Sequence, residues 1–151
     1  MNKLIMMCGL PRSGKSTWVE MNRTDEIILS ADTLRHLVYN QRFWVGGEPL
    51  VWSIHGVILR MLLKQGVPII IDETNTTPKR RNSIIYMAKK HGYSVNCVWV
   101  TTSKEVCLSR AFEMGDNVIP RVIERMAREF VAPRVEEGFE KVIEVEMLEK
   151  N

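Results

Sequence analysis

Cysteine is scarce in this chain and poorly spaced for chemistry. The three cysteines, Cys8, Cys97 and Cys107, are odd in number and form no CxxC pair, which argues against a disulfide framework and against a zinc site. The three histidines, His36, His55 and His91, pair with no cysteine at ligand spacing. No stretch approaches the roughly 18 uninterrupted apolar residues of a membrane span. The opening MNKLIMMCGL holds only a short apolar run that leads straight into a glycine-rich loop, so it reads as a strand rather than a signal peptide. A reduced, cytoplasmic setting is the expectation. Low-complexity tracts, runs of like charge, internal repeats and linker-like stretches are missing as well, so the expected organisation is a single domain over residues 1–151.

Charge is close to balanced. The 21 Lys and Arg against 18 Asp and Glu leave a net charge of +3, which mildly favours acidic ligands, although a lysine-rich solvated surface accounts for it equally well. Apolar residues at 45% and charged residues at 26% are ordinary for a globular domain, and the length suffices for one sizeable core.

What is present is a regular alternation of short apolar runs and helical patterns. Lys3–Cys8 reads as a strand and Lys15–Asn22 as a helix. Glu26–Ser30 is a second apolar run, followed by a helix opened by Asp32 and continuing to about Gln41. After the break at VGGEP, Leu50–Gln65 is a long helix closed by Gly66. VPIIID is a third strand, covered on both faces to judge from its unbroken β-branched run. A TNTTP loop launches a helix over Lys79–His91, closed by Gly92. YSVNCVWV is a fourth strand, and SKEVCLSRAFEM a helix with Ser103 as its N-cap. After GDNVIP, Pro120–Phe130 is helical, with Ile119, Ile123, Met126, Ala127 and Phe130 on one stripe, and GFEKVIEVEML ends the chain as a fifth strand. Such alternation predicts βαβ units with right-handed crossovers, giving an α/β fold with a five-stranded, mostly parallel sheet and helices on both faces.

The stretch GLPRSGKSTW carries the most specific signal. Gly9, Gly14, Lys15 and Ser16 fill the pattern G-x-x-x-x-G-K-[ST] between a strand and a helix. Glycines there let backbone N–H groups turn onto phosphates, the lysine reaches the β/γ oxygens, and the hydroxyl suits Mg²⁺. The helix N-terminus adds its positive dipole end. The expected donor cradle is Gly9, Arg12, Ser13, Gly14, Lys15, Ser16 and Thr17, binding a nucleoside triphosphate.

An acceptor side is expected at the carboxyl end of the second strand, where ligands sit in open α/β sheets. Asp32 there is suited to accept a hydroxyl proton in line with the γ-phosphate; the plainer alternative is an N-cap for TLRHLVYNQ. A helix started by Asp32 puts Arg35, His36, Tyr39, Arg42 and Phe43 on one side, with Leu34, Leu37, Val38 and Gln41 facing a core. Cations interleaved with aromatics fit a single-stranded nucleic acid, while a solvated polar face with half-buried aromatics is the competing reading. Trp44 and Trp52 extend this face or are buried. At the tip of the third strand Asp72 sits in Walker B position to hold Mg²⁺ together with Ser16, with Glu73 the alternative. Thr74 and Asn75 are expected at the same rim, oriented toward acceptor or phosphate. Lys79, Arg80 and Arg81 open a helix against its dipole, which suggests an anion nearby.

Together, GLPRSGKSTW, SADTLR, DETNTTPKRR and VIPRVIERMAREFVAPRVEEGFEKV resemble the polynucleotide 5′-hydroxyl kinases and related small P-loop kinases. The matched segments run in family order over nearly the whole chain. The resemblance implies a P-loop kinase fold with a small helical lid, Lys15 and Ser16 on the donor phosphates, Asp32 as general base, Arg35 on the acceptor's phosphate, and a lid arginine on the donor. Arg110 is the first choice for the lid arginine. The family pattern places a second arginine where this chain has Met114, and Arg121 and Arg125 are the substitutes. No D-x-D-G-T phosphatase signature follows, so only the kinase half is expected. The resulting expectation is ATP- and Mg²⁺-dependent transfer of the γ-phosphate to a 5′-hydroxyl of RNA or DNA. The alternatives are a small-molecule hydroxyl (nucleoside, sugar or antibiotic) and an NTP-binding or NTP-hydrolysing module.

Overall fold

The structure is a computed structural model that describes residues 2–41 and 43–148. Continuous apolar runs become strands where a sheet is covered on both sides. These are β1 (Asn2–Cys8), β2 (Ile27–Leu29), β3 (Ile69–Ile71), β4 (Tyr93–Val100) and β5 (Lys141–Val145). They form one sheet in the order β2-β3-β1-β4-β5, and every pairing is parallel. On the central strand, Met6 is in register with Ile71 on one side and Cys97 on the other. Parallel pairing forces the carboxyl ends of β1, β2 and β3 onto one edge, so the glycine loop, Asp32 and Asp72 meet there.

The helices are α1 (Lys15–Asn22), α2 (Ala31–Tyr39), α3 (Glu48–Gln65), α4 (Pro78–Lys90), α5 (Lys104–Glu113) and α6 (Ile119–Glu129). Successive β1 side chains alternate between two cores. Leu4, Met6 and Cys8 pack with Leu34 of α2, Leu59 and Leu63 of α3, and Ile84 and Ala88 of α4. Met7 packs on the opposite face with Ile70, Val98, Val100 and Val19 of α1. A third cluster of Cys107, Ala111 and Ile123 joins α5 to α6 and reaches Leu10 of the glycine loop. This hairpin is the expected small lid, and Ser103 caps α5 by accepting the Val106 N–H at 3.3 Å. All three cysteines are buried free thiols. Among the described residues no helix is long and apolar enough to cross a membrane.

Several boundaries differ from the sequence reading. Helix α3 begins at Glu48 rather than Leu50 because Pro49 falls in its first turn, where no intrahelical N–H is needed. Strand β5 is shorter than GFEKVIEVEML. Helix α2 stops at Tyr39, closed by Asn40 at φ 53, and its N-cap is Ser30, whose hydroxyl accepts the Thr33 N–H at 3.4 Å. Asp32 is therefore not the cap. It sits in the first turn of α2, where a carboxylate also suits the helix dipole.

The phase of α2 is the larger correction. Ala31 and Leu34 are buried, but Leu37 is 79% exposed, so it does not face a core. Arg35 turns inward instead because α3 offers it a partner. Its Nε and Nη2 donate to Glu48 Oε2 and Oε1 at 2.8 and 2.7 Å, and its Nη1 donates to Asp32 Oδ1 at 2.6 Å. The Glu48 hydrogen bonds raise the Arg35 guanidinium above its ordinary value, and the same contact holds the Glu48 carboxyl below its ordinary 4.5. Arg42 of the expected face lies outside the described residues.

The anion expected near Lys79, Arg80 and Arg81 is internal. Arg81 is fully buried. Its Nε and Nη2 donate to Glu137 at 2.9 and 3.1 Å, and its Nη1 donates to the Asn75 carbonyl at 2.9 Å. This pair ties the segment before β5 to the loop after β3.

Two outcomes are expected. Arg81→Ala leaves Glu137 without its partner and should lower the unfolding free energy by about 3–5 kcal/mol in a denaturant titration. Glu48→Gln should lower it by about 1–2 kcal/mol at neutral pH. Because the folded value of Glu48 is depressed, the wild-type advantage is complete above its ordinary 4.5 and vanishes as pH falls through the lower folded value. Thermal melts of both proteins between pH 7 and strong acid check this.

Candidate active site

The loop between β1 and α1 is built around backbone that side chains would block. Gly9 has φ 154 and Gly14 has φ 105; a Cβ on Gly9 would come within 2.8 Å of the Val100 carbonyl oxygen, and one on Gly14 within 2.7 Å of the Met147 Cβ. Arg12 takes a left-handed φ of 67 without being glycine, strain of a kind that collects at ligand-binding loops. Lys15 folds back inside the loop and donates to the Leu10 carbonyl at 2.7 Å. Burial pushes its ammonium below the ordinary value, with Asp72 opposing the shift. Ser13, within the loop, is fully buried, its carbonyl accepting from the Thr102 hydroxyl at 2.7 Å. Ser16 and Thr17 are exposed at the start of α1.

Ser16 joins the loop to β3. Its hydroxyl donates to Asp72 Oδ2 at 2.8 Å. Burial raises the Asp72 carboxyl; the Ser16 bond and Lys15 oppose this, and the charges of Asp32 and Glu73 add to it. Of the two candidate carboxylates at this tip, Asp72 is the one that meets Ser16. Glu73 turns toward α3, where its Oε1 and Oε2 lie 3.1 and 3.0 Å from His55 Nε2 and Oε1 lies 3.5 Å from Arg80. Among the described residues no group of three or more His, Cys, Asp or Glu forms a metal cage. Paired hard oxygens at the mouth of a phosphate loop, in surroundings rich in carboxylate, fit Mg²⁺, which commonly keeps waters and substrate oxygens as its remaining ligands.

The expected acceptor residues separate. Asp32 is 78% exposed, held by Arg35, and near enough for its charge to act on Lys15 and Asp72. Arg35 is only 15% exposed and lies between Asp32 and Glu48. His36 is exposed in the last turn of α2. Tyr39 packs against the main core, edge-on to Trp44 with ring centres 5.1 Å apart. The single stacked face of Arg35, His36, Tyr39 and Phe43 therefore does not form, although the Phe43 ring stays 5.7 Å from the Arg35 guanidinium carbon. Thr74 is half-buried, and its carbonyl accepts the Gly9 N–H at 2.9 Å. Asn75 is not at the rim. It is buried at φ 44, and its amide donates to the Met7 carbonyl at 2.8 Å, so it fastens the loop to the central strand.

On the lid side, Arg110 reaches the glycine loop. Its Nη1 donates to the Arg12 carbonyl at 3.0 Å and its Nη2 to the Met147 carbonyl. Met114 ends α5 half-exposed, and Arg121 and Arg125 are exposed on α6.

Four site neighbours escaped the sequence reading: Glu48, His55, Trp52 as a platform, and Arg80 as its occupant. The Trp52 ring carries the Arg80 guanidinium carbon at 3.8 Å, sits 5.0 Å from the His55 ring, and donates its N–H to Glu48 at 3.3 Å. The one local signal was periodic: Glu48, Trp52 and His55 lie one turn apart on the same face of α3.

A family profile described as an AAA domain matches residues 4–133. The L-seryl-tRNA(Sec) kinase of Methanococcus maripaludis is 24% identical over 139 residues, which is 86% of this chain and 53% of that protein. The chain thus spans about half the length of this curated relative. In three dimensions it is similar to a chain of the Pnkp1/Rnl/Hen1 RNA repair complex, with a TM-score of 0.71 and 18% identity over 85% of this chain and 43% of the other. It is also similar to Kti12 of Chaetomium thermophilum in complex with ADP-AlF3, with a TM-score of 0.70 and 18% identity over 95% and 88%. At these identities the structural likeness speaks for the fold, a P-loop kinase-type α/β sheet. With the profile running from β1 past α6, the chain belongs to the AAA domain family.

Proposed function

We propose that this chain is an ATP-dependent phosphotransferase that passes the γ-phosphate to the 5′-hydroxyl of a polynucleotide, RNA or DNA. The observation that carries the reading is Asp32: an exposed carboxylate at the same sheet edge as the glycine loop, its charge felt by Lys15 and Asp72, held by one oxygen to Arg35 at 2.6 Å. A general base must stand within hydrogen-bond reach of the acceptor proton and keep a free oxygen for it. As the acceptor oxygen bonds to the γ-phosphorus, the bond from that phosphorus to the β–γ bridging oxygen breaks. The hydroxyl proton passes to Asp32, and ADP leaves with the bridging oxygen.

Each remaining group has a part in this step. Backbone N–H groups of the loop and the Lys15 ammonium hold the donor phosphates, and their negative charge restores the protonated lysine against its burial. Ser16 and Asp72 would hold Mg²⁺, which when bound neutralises β and γ oxygens and fixes their orientation. Arg35 orients Asp32. Arg110, already drawn onto the glycine loop, is the cation assigned to the charge that develops on the transferred group.

The names of two similar proteins, a seryl-tRNA kinase and a member of an RNA repair complex, support an acceptor connected with RNA. A second reading, a small-molecule hydroxyl, draws support from Arg35, whose guanidinium is already occupied by Glu48 and Asp32.

Incubation with Mg²⁺, radiolabelled ATP, 5′-hydroxyl oligonucleotides and a panel of nucleosides and sugars tests the proposal. Label on the oligonucleotides supports it. Label on a nucleoside or sugar alone supports the small-molecule reading, and label released only to water favours a hydrolytic module. Lys15→Ala should abolish transfer. Asp32→Ala should reduce it about 10²- to 10⁴-fold while leaving ATP binding intact. Full activity in Asp32→Ala would overturn the mechanism.

A further inference from the structure

A second arginine stands on the acceptor side, and it is not locked between carboxylates as Arg35 is. Arg80 lies in the first turn of α4. Its guanidinium carbon is 3.8 Å from the centre of the Trp52 ring, and its side chain is 39% exposed. Its ion-pair partner among the described residues is Glu73, at 3.5 Å, and that carboxylate is shared with His55 at 3.0 Å. The same Trp52 ring lies 5.9 Å from the Arg35 guanidinium carbon. One indole thus connects Arg80 to the arginine that holds the Asp32 carboxylate.

The two cations differ in what they can still do. A phosphate approaching Arg35 would have to compete with Glu48 for two donors and with Asp32 for a third. Stacking on Trp52 uses the flat face of the Arg80 guanidinium and, with Nη2 turned to Glu73, leaves the remaining N–H donors of its edge for a phosphate oxygen. No acidic residue stands in the first turn of α4, so the positive end of this 13-residue helix reinforces the same charge. Exposed Lys79 adds to it.

We propose that Arg80, seated on Trp52, is the specificity-determining cation of the acceptor side. It binds the phosphate that neighbours the acceptor hydroxyl held at Asp32, the part the family resemblance gives to Arg35. Arg35 is instead the positioning residue of the base, kept in place by Glu48. This inference rests on the 5′-hydroxyl phosphotransferase reading above.

The test compares three acceptors: a nucleoside, its 3′-phosphate and a 5′-hydroxyl dinucleotide. The last two separate a terminal phosphate from a phosphodiester. Wild type should prefer one or both phosphate-bearing acceptors over the nucleoside. Arg80→Ala should cut kcat/KM for them by about 10-fold or more, mainly through KM, because a charge-assisted fork is lost. Its rate on the nucleoside and its KM for ATP should stay within about twofold, and Arg80→Lys should recover part of the loss. Anisotropy of a fluorescent 5′-hydroxyl oligonucleotide should report the same weakening without turnover, at a temperature where the melting curve of Arg80→Ala shows it fully folded. Should wild type label none of the three acceptors, the polynucleotide reading falls and takes this inference with it. Should wild type label them while Arg80→Ala keeps the full phosphate preference, only the inference falls.

Discussion

Charges crowded at the carboxyl edge of a parallel sheet must find compensation within a few ångströms, and this requirement places Arg35, Arg81, Glu73 and Lys15. A buried ion left alone is strongly destabilising, whereas a paired one with its hydrogen bonds met is tolerated. Arg81, with no exposed surface, is answered by Glu137 and by the Asn75 carbonyl. Arg35 is answered by Glu48 and Asp32. Glu73, 8% exposed, is answered by His55 and Arg80. Lys15 is answered by the carbonyl of Leu10 and the charge of Asp72.

These pairings leave the two sides of the sheet edge differently exposed. The glycine-loop side is closed by internal hydrogen bonds. Gly9 is hydrogen-bonded to the Thr74 carbonyl, Ser13 is held by Thr102, and Arg110 ties α5 to both the loop and the segment after β5. A cradle assembled before its ligand arrives avoids ordering costs at binding, the usual advantage of preorganisation. The side of Asp32 and Arg80 is more open. Asp32 and Phe43 are exposed, and Arg80 keeps part of its surface. The exposed Asp32 carboxylate is open to solvent, while its orientation is secured from behind by Arg35, whose side chain is only 15% exposed.

The loop after β3 couples the two sides. Asp72 faces Ser16, Glu73 faces α3, Thr74 accepts from Gly9, and the buried Asn75 amide bonds β1. Four successive residues thus point to four different elements. The left-handed turn at Asn75 makes the change of direction possible, and asparagine tolerates that conformation better than most residues. Arg81 then holds the turn through its carbonyl. Asp72, beside Ser16, and Glu73, beside His55 and Arg80, are therefore fixed by the same short segment.

Much of this was legible in the linear sequence. The glycine loop was, because its chemistry lies in consecutive backbone and one nearby lysine. The order of strands and helices was, because hydrophobic period is a local property, and so was the Ser103 cap. The carboxyl-edge positions of Asp32 and Asp72 followed from strand ends alone. What the sequence did not disclose depends on how elements rotate against one another. Leu37 looked like a core residue and is exposed; Arg35 looked like a surface cation and faces α3. The reason is Glu48, thirteen residues on in a segment that reads as a chain break. Likewise Asn75 looked like a rim residue and is buried, because its partner is a carbonyl on β1. By itself the sequence determined which groups exist and at which sheet edge they gather. Only the tertiary structure decided which cations pair with which internal carboxylates, because that choice is made by contacts between separate elements, such as Arg35 of α2 with Glu48 of α3 and Arg81 of α4 with Glu137.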